Sequence, residues 1–578
     1  MSEVVPEIVD GRRRVLPQPS GARVAYLSME VALESDIPTY AGGLGILAGD
    51  LLRSAADLGL SMVGITLAHR RGYFRQRLDA DGHQTAEPLP WAPERRLVEL
   101  VPRCDVEIEG RRVTIRAWRY DIQGIDGYIV PVLLLDTDLL ENDAEARRFT
   151  DELYGGDDRY RLCQEVVLGI GGVRMLRALG HDDVRRFHLN EGHSALLALE
   201  LYAEAAAQLP PEAAAERVRR SCVFTTHTPV PAGHDQFPVA LAEQVLGRHQ
   251  VDALRALGCC GDRLNTTLVA LRLSHWVNGV ARSHGVVSSS MFPGYHIASI
   301  SNGVHSASWT SPPFARLYDR YIPDWRRSSF TLRYARSIPA QAVSAAHREA
   351  KQMLVDVVND RTAAGFRPDL LTLGFARRAT TYKRPTLLFH DAERLRKLAQ
   401  AAGGLQLVFA GKAHPRDEAG QALIRSVVHE GAALAPDVRL VWLPDYDLRL
   451  ARLITAGTDA WLNTPHPPEE ASGTSGMKAA HNGVPSVSVR DGWWWEGHFE
   501  GVTGWAVGAA HHDRGTPRED DEDADAMYCV LQDDVLPAWR DTARWADIMR
   551  STIAINASFF NTSRVLHEYV VRAYHTEE

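Results

Sequence analysis

Hydrophobic and polar positions follow two patterns along the chain. Short apolar runs, such as those at 222–227 and 405–411, are typical of buried strands. Other stretches, such as ALLALELYAEAAA at 195–207, place apolar residues at helical spacing. Because strands and helices alternate, the sequence predicts an α/β protein whose parallel sheets are covered on both faces.

Two regions repeat the same order of an apolar strand, a glycine-rich or basic turn, and a helix. The first is RVAYLSME at 23–30 with GGLGILAGDLLRSAADLG at 42–59, and the second begins with LLTLGFARR at 370–378. At 578 residues the chain is too long for one hydrophobic core, so two large domains are predicted. We place their junction near 345–368.

The predicted division is an N-terminal domain at 1–360, a C-terminal domain at 361–545, and terminal helices at 546–578. Residues 511–526, HHDRGTPREDDEDADA, are charged and contain Gly and Pro, which predicts a solvated loop. In α/β proteins with parallel sheets, ligands bind at the carboxyl ends of the strands, so we expect site residues directly after the predicted strands.

Composition narrows the class of protein. A net charge of −9 and a pI near 6.2 argue against a nucleic-acid or membrane-surface partner. No apolar run approaches the length of a membrane span, and the first residues lack the apolar core of a signal peptide. The six cysteines form no CxxC pair, which favours a reducing compartment. The sequence therefore predicts a soluble cytoplasmic protein.

Glycines follow the first strand. Gly42, Gly43 and Gly45 precede a predicted helix, where backbone N–H groups and the helix dipole favour an anion. A tight strand–helix turn without any ligand explains the same residues.

Cations follow the strand at 370–376. Arg377, Arg378, Lys383 and Arg384 lie within eight residues of one another, which suits a phosphate group. A solvated basic helix start is the alternative interpretation.

A small-residue loop leads from Glu470 to Lys478 with the sequence EASGTSGMK. A lysine buried at such a helix start has a lowered pKa, which favours imine formation with an aldehyde cofactor. A phosphate loop is equally consistent, although the spacing of a Walker motif is absent.

Histidines lie next to predicted strand ends at His193, His227 and His305. Most lone histidines are structural, and no HExxH spacing or cysteine partner accompanies these, so no metal site is predicted. Without wider comparison, these segments support only a two-domain enzyme that handles a phosphate.

Taken together and in order, the segments resemble α-glucan phosphorylases, most closely the short bacterial branch. The resemblance runs from about Tyr26 to about Tyr574. It is carried by these segments: YAGGLGILAGD (40–50), GYFRQRLDADG (72–82), HLNEGHSA (188–195), FTTHTPVPAGHDQF (224–237), GFARRATTYKRP (374–385) and EASGTSGMKAAHNGVPSVSVRDGWWWEG (470–497).

The resemblance implies a GT-B architecture, in which two Rossmann-like domains face a cleft and a C-terminal helix crosses back to the first domain. It also implies pyridoxal phosphate bound to Lys478 as a Schiff base, with its 5′-phosphate relaying a proton to substrate phosphate. The expected reaction is reversible transfer of a terminal glucose from a glucan or maltodextrin to inorganic phosphate, giving glucose 1-phosphate. Such enzymes are commonly dimers.

Residue roles are carried over position by position from this resemblance. Arg378, Lys383 and the backbone of Gly43, between Gly42 and Leu44, would hold substrate phosphate. The residues expected around the cofactor are Arg377, Tyr446, Thr474 and Ser475. Glucose hydroxyls would bind Asn302, Glu470, Ser472 and Gly473. The His227 carbonyl would face the reacting carbon.

Three positions depart from the short branch. We expect arginine near His466, an apolar residue at Glu469 and an aliphatic one at His481. These departures bear on the acceptor, which is either an ordinary glucan or a specialised sugar-like molecule.

The main alternative function is a GT-B glycosyltransferase that uses a nucleotide sugar without pyridoxal phosphate. A non-enzymatic carbohydrate-binding protein is a further alternative.

Overall fold

The computed structural model describes residues 5–9, 12–16, 23–230, 233–508 and 520–575. Its strands are β1 Val5–Val9, β2 Arg12–Leu16, β3 Val24–Ser28, β4 Met62–Leu67, β5 Arg75–Leu78, β6 Gln84–Glu87, β7 Val98–Ile108, β8 Arg111–Gln123, β9 Ile129–Asp136, β10 Arg186–Asn190, β11 Cys222–Thr225, β12 Gln236–Pro238, β13 Arg263–Asn265, β14 Trp276–Gly279, β15 Ala298–Ser299, β16 Leu371–Ala376, β17 Leu405–Ala410, β18 Val438–Leu443, β19 Ala460–Asn463, β20 Ser486–Val489 and β21 Gly504–Val507.

The α-helices are α1 Gly43–Asp57, α2 Asp158–Ala178, α3 Leu196–Ala206, α4 Pro211–Ser221, α5 Val239–Leu246, α6 Arg248–Ala256, α7 Thr266–Arg272, α8 Arg282–Met291, α9 Ser306–Trp309, α10 Pro312–Tyr321, α11 Ala340–Thr362, α12 Ala392–Ala402, α13 Glu418–Ala433, α14 Leu448–Gly457, α15 Ser475–Ala480, α16 Trp494–Gly497, α17 Asp520–Cys529, α18 Leu536–Arg540, α19 Thr542–Thr552 and α20 Thr562–Tyr569. Short π-helical segments at Val530–Val535, Ile553–Ala557 and Val570–Tyr574 interrupt or extend the last helices.

The first sheet has the strand order β15-β14-β11-β10-β3-β4-β9-β8-β7-β1-β2. Its pairs are parallel from β15 to β9, as the strand–helix alternation predicts. Strand β8 pairs antiparallel with both β9 and β7, which corrects the expectation of purely parallel sheets. Glu109 and Gly110 have φ values of +55° and +70°, so a two-residue hairpin turn reverses the chain there.

The second sheet has the order β18-β17-β16-β19-β20-β21, and all of its pairs are parallel. The prediction of a parallel sheet is confirmed here, and every residue of β16 is buried. The core around this sheet also contains Phe314, Trp325 and Val343. Side chains therefore begin to join the second core well before 345–368, where we placed the domain junction.

We call the part built on the first sheet the first lobe and the part built on the second sheet the second lobe. Helix α20 packs against the first lobe, where Val565, Leu566 and Tyr569 share a core with Tyr26. The Tyr569 hydroxyl lies 2.8 Å from Thr225 Oγ1. Helix α19 instead packs in the core of the second lobe.

Part of the predicted loop at 511–526 lies outside the described residues. Residues 520–526 are helical in α17, which corrects the prediction for that end of the segment. Asp523 is fully buried and pairs with Arg384 at 2.6 Å, so a buried ion pair anchors a stretch that composition alone assigns to solvent. Among the described helices, none combines the length and apolar character that a membrane crossing requires.

A buried ion pair joins α11 to the second sheet, and its removal is expected to lower the stability of the protein. Lys351 Nζ donates to Asp459 Oδ2 at 2.6 Å, and both side chains are almost fully buried. Lys351→Ala should destabilise the protein by about 3–5 kcal/mol, because it leaves a buried carboxylate without its cation. The matched control Lys397→Ala removes an exposed lysine 3.9 Å from Glu393 and should cost about 0–1 kcal/mol. Equal shifts of both variants in thermal unfolding would show that the buried pair is unimportant.

Candidate active site

The glycine loop after β3 is held by a buried glutamate. Glu30 Oε2 accepts hydrogen bonds from the N–H groups of Ala41 at 2.6 Å and Gly42 at 3.1 Å. Gly45 is tightly packed, because an added Cβ would lie 2.7 Å from Glu30 Oε2. A Cβ added at Gly42 or Gly43 would meet no described atom within 4 Å. The start of α1 therefore presents open backbone, where N–H groups and the helix dipole favour an anion.

A second buried glutamate fixes the loop that contains His227. Glu191 Oε2 accepts from the His227 N–H at 2.7 Å and from Thr228 Oγ1 at 3.0 Å. The His227 ring lies 2.7 Å from Asn190 Oδ1 through Nε2. Burial lowers the pKa of His227 to about 3, so the ring is neutral at physiological pH and serves as a hydrogen-bond donor to Asn190.

The cations after β16 converge on one carboxylate of the second lobe. Arg377 Nη2 donates to Glu470 Oε2 at 2.5 Å, and Lys383 Nζ donates to the same oxygen. Arg377 also donates to Asn463. Burial favours the neutral acid, but Arg377 and Lys383 prevail and lower the pKa of Glu470 to about 2. The interpretation of this segment as a solvated helix start is therefore wrong for Arg377 and Lys383, which are buried.

Arg378 is exposed and faces tyrosines of both lobes. Although the side chain is accessible to solvent, the protein around it removes part of its hydration, which by itself lowers its pKa. A hydrogen bond to Tyr382 and the nearby Tyr73 and Tyr154 of the first lobe outweigh this effect and raise the pKa of Arg378. The Tyr154 hydroxyl in turn donates to Glu30 Oε1 at 2.9 Å. Tyr154 thus connects the surroundings of Arg378 to the glutamate that holds the glycine loop, and the two predicted parts of a phosphate site come together across the lobes.

Lys478 lies on α15 with its ammonium over an aromatic face. Its Nζ is 4.1 Å from the ring centroid of Trp309, and the residue is 4% exposed. Burial lowers the pKa of Lys478 to about 8, although the nearby charge of Asp50 raises it. At pH 7 roughly a tenth of the amine is then unprotonated, far more than for an ordinary lysine. This is the state that attacks an aldehyde.

The loop before Lys478 contains a buried hydroxyl without a partner and a glycine with positive φ. Ser472 Oγ is buried, and no described residue hydrogen bonds to it. Gly473 has φ +82°, and an added Cβ would lie 3.3 Å from Glu470 Cδ, so glycine is needed for both conformation and space. Thr474 directly precedes α15, and Ser475 Oγ accepts from Trp461 Nε1 at 3.1 Å.

Other predicted residues are placed as follows. Tyr446 packs in the apolar cluster that contains Trp309 and Met477, next to Lys478. Asn302 is buried, and its carbonyl accepts from Arg564 at 3.0 Å. Leu44 is half-buried in the first turn of α1.

The three departures from the short branch have different surroundings. His481 uses both ring nitrogens inside the protein, at 2.9 Å from Ser306 Oγ and 2.8 Å from the Met477 carbonyl. Burial lowers the pKa of His481 to about 4. His466 and Glu469 are half-buried, with His466 Nδ1 3.8 Å from a Glu469 oxygen. His481 is therefore part of the packing between the lobes, whereas the other two line the end of the loop before Glu470.

The chain is similar in sequence to several known proteins. The sequence profile of the family described as Carbohydrate phosphorylase matches residues 259–496. The maltodextrin phosphorylase of Thermococcus litoralis is 37% identical over 95% of this chain and 70% of that protein. The glycogen phosphorylase of Mycobacterium tuberculosis (strain H37Rv) is 38% identical over 95% of this chain and 70% of that protein. The glycogen phosphorylase of Aquifex aeolicus is 33% identical over 95% of this chain and 86% of that protein.

The chain belongs to the carbohydrate phosphorylase family. The family prediction is confirmed, and this phosphorylase contains two α/β regions with parallel-rich sheets, consistent with the family's fold.

Four residues of the candidate site were not predicted from the sequence. Glu191 directly follows β10, and Glu30 lies two residues after the end of β3. A charge close to the end of a buried strand was a usable signal. Asp491 accepts from the Glu470 N–H at 2.8 Å, and burial raises its pKa to about 7. Trp309 had no separate signal, because thirteen tryptophans are spread along the chain.

The lowered pKa of Lys478 can be measured by its reactivity. Because only the free, unprotonated amine reacts, labelling of Lys478 by acetic anhydride, in protein freed of any aldehyde bound to it, should rise with pH to a midpoint near 8. Asp50→Asn removes the negative charge that raises this pKa, so its midpoint should lie at lower pH. Mass spectrometry of the Lys478 peptide gives the reading, with exposed Lys397 as the internal reference. A midpoint above that of the Lys397 peptide would contradict the assigned environment.

Proposed function

We propose that this phosphorylase is a retaining α-glucan phosphorylase. It transfers the terminal glucose of an α-1,4-glucan such as maltodextrin to inorganic phosphate and gives glucose 1-phosphate, in a reversible reaction. The observation that carries the proposal is the buried Arg377–Lys383–Glu470 cluster in the same lobe as a buried lysine of lowered pKa. Anion binding and imine formation are the two requirements of the reaction.

The residues fit pyridoxal phosphate. Lys478 is buried on the face of Trp309, in an apolar cluster with Tyr446 that suits a planar ring. Arg377 Nε and the hydroxyls of Thr380 and Ser472 are buried without a hydrogen-bond partner among the described residues. Such atoms are rare unless a ligand or water satisfies them. Lys478 would form the tether, and Arg377, Tyr446, Thr474 and Ser475 would surround the cofactor.

When bound, the cofactor supplies a second phosphate that can take and give a proton. Arg378, Lys383 and the N–H of Gly43 bind the substrate phosphate and offset the repulsion between neighbouring anions. The His227 carbonyl faces the anomeric carbon, where positive charge develops as the glycosidic bond breaks. Asn302, Glu470, Ser472 and Gly473 bind glucose hydroxyls and hold the ring in place.

We also propose the finer architecture. The chain has a GT-B arrangement in which α20 crosses back to the first lobe, supported by the contact of Tyr569 with Thr225. The N-terminal domain carries the glycine loop and the C-terminal domain carries the cofactor site. The core composition supports a junction that lies closer to residue 314 than to 360. We further propose that the protein is a cytoplasmic homodimer.

The first test separates a phosphorylase from a nucleotide-sugar transferase. Purified protein should show a cofactor absorption band at wavelengths longer than the tryptophan band, and it should release glucose 1-phosphate from maltodextrin and phosphate. Lys478→Ala should lose both properties, because the tether is gone, while Lys397→Ala keeps them. A protein that lacks this band and turns over only a nucleotide sugar would establish the alternative function.

The second test addresses the anion site. Arg378→Ala should raise the KM for phosphate by about 10-fold or more, since a charge-assisted hydrogen bond contributes roughly 1.5–3 kcal/mol. Thermal unfolding should change little, because Arg378 is exposed. Arg396→Ala, which removes an arginine paired with Glu393 on α12, is the matched control. If phosphate kinetics survive the loss of Arg378 and of Lys383, the assigned site is wrong.

A further inference from the structure

A hairpin of the first lobe packs onto the second lobe at the edge of the candidate site. Strands β5 and β6 form this hairpin, which we call the clamp hairpin, residues 75–87. Leu78 packs against the core of the second lobe. Gly82 in the turn has φ +79°, and an added Cβ would lie 3.2 Å from Arg425 Cα on α13. The turn therefore sits directly on the second lobe.

Gln76 makes the central contacts of the clamp hairpin, and it is 1% exposed. Its Nε2 donates to the Gly411 carbonyl at 2.9 Å, and its Oε1 accepts from the Asp445 N–H at 2.9 Å. The backbone N–H of Gln76 donates to Asp445 Oδ1 at 3.2 Å. The amide thus uses donor and acceptor on two different loops of the second lobe.

Gln84 completes the arrangement from the other strand of the hairpin. Its Oε1 accepts from Gln76 Nε2 at 2.8 Å and from the Ala413 N–H at 3.1 Å. Its Nε2 donates to the Ala413 carbonyl at 2.9 Å. Lys412 Nζ adds a hydrogen bond to the Phe74 carbonyl at 2.8 Å. The loop at 411–413 is therefore bound to the first lobe at each residue.

The two loops that Gln76 binds are in contact with predicted site residues. A Cβ added at Gly411 would lie 1.9 Å from the Arg377 carbonyl oxygen. The Ala379 N–H donates to the Lys412 carbonyl at 3.0 Å. Asp445 directly precedes Tyr446. A displacement of the loop at 411–413 must therefore move the chain at 377–379, which includes Arg378.

We propose that Gln76 is a positioning residue for the phosphate site. By fixing the loops at 411–413 and 445–446 to the first lobe, it sets the distance between Arg378 and the glycine loop. An amide is required because one end must donate to Gly411 and the other must accept from Asp445, and a carboxylate lacks the donor. The kinetic part of the test below rests on the proposed function, whereas the hydrogen-exchange part does not.

The test uses Gln76→Glu, which keeps size and shape but directs an oxygen at the Gly411 carbonyl. We expect the KM for phosphate to rise by about 10-fold or more, because small misplacement of a binding group is costly. The KM for maltodextrin should stay within about 2-fold. Arg77→Ala is the matched control, since Arg77 lies on the exposed face of the same hairpin and pairs with Glu87. It should leave both constants unchanged.

Hydrogen exchange provides a reading that does not depend on activity. The amides of Asp445 and Ala413 should exchange faster in Gln76→Glu than in the wild type, and should be unchanged in Arg77→Ala. If Gln76→Glu fails to fold, Gln84→Ala serves the same test, because it removes both hydrogen bonds to Ala413. Normal exchange, or faster exchange with an unchanged KM for phosphate, would overturn the inference. A wild type without phosphorolysis would instead refute the proposed function and leave the exchange test in force.

Discussion

The candidate site depends on one constraint, the confinement of several cations at the carboxyl end of a buried parallel sheet. Arg377 and Lys383 are nearly excluded from water, and both donate to a single oxygen of Glu470. Glu470 alone cannot neutralise two cations, and the neighbouring Asp491 has a pKa raised to about 7, so it is only partly ionised near neutral pH. Arg378 adds a further positive charge. In a region of low dielectric such an excess is unfavourable unless anions are bound. This excess of positive charge supports the proposal that the site binds phosphate groups and not a neutral ligand alone.

Neither lobe contains all of the residues to which the proposed reaction assigns a role. The first lobe contributes the start of α1 and the loop of His227, each held by a glutamate at a strand end. The second lobe contributes the cations and Lys478. Tyr154 lies between these groups, because it donates to Glu30 and approaches Arg378. Chemistry at the interface then requires a fixed relation between the lobes, which the clamp hairpin and α20 are placed to maintain.

The sequence predicted the parallel core well, because that prediction depends on local patterns. Apolar runs indicated strands, and β3, β16 and β17 lie where these runs fall. The predicted site segments follow these strands, and their ligands stay a prediction. The antiparallel pair β7–β8 was missed, since its evidence is a two-residue turn at Glu109 and Gly110. The start of α17 was assigned to solvent, because the partner that buries Asp523 is Arg384, far away in sequence.

The pairing of residues across the lobes could not be predicted from the sequence. Nothing local indicates that Trp309 lies under Lys478, or that Gln76 reaches Gly411 at a separation of 335 residues. Such contacts arise from the packing of the two lobes and not from propensity or periodicity. The resemblance to phosphorylases supplied the roles of residues, whereas the structure shows what holds those residues in place.

The most direct measurement is phosphorus NMR of the protein reconstituted with pyridoxal phosphate and titrated with inorganic phosphate. If the cations hold two phosphate groups side by side, the cofactor resonance should shift as added phosphate saturates its site. The shift should follow the same binding curve as the resonance of the added phosphate. A cofactor resonance that stays unchanged while phosphate binds would place the two anions apart and contradict the account.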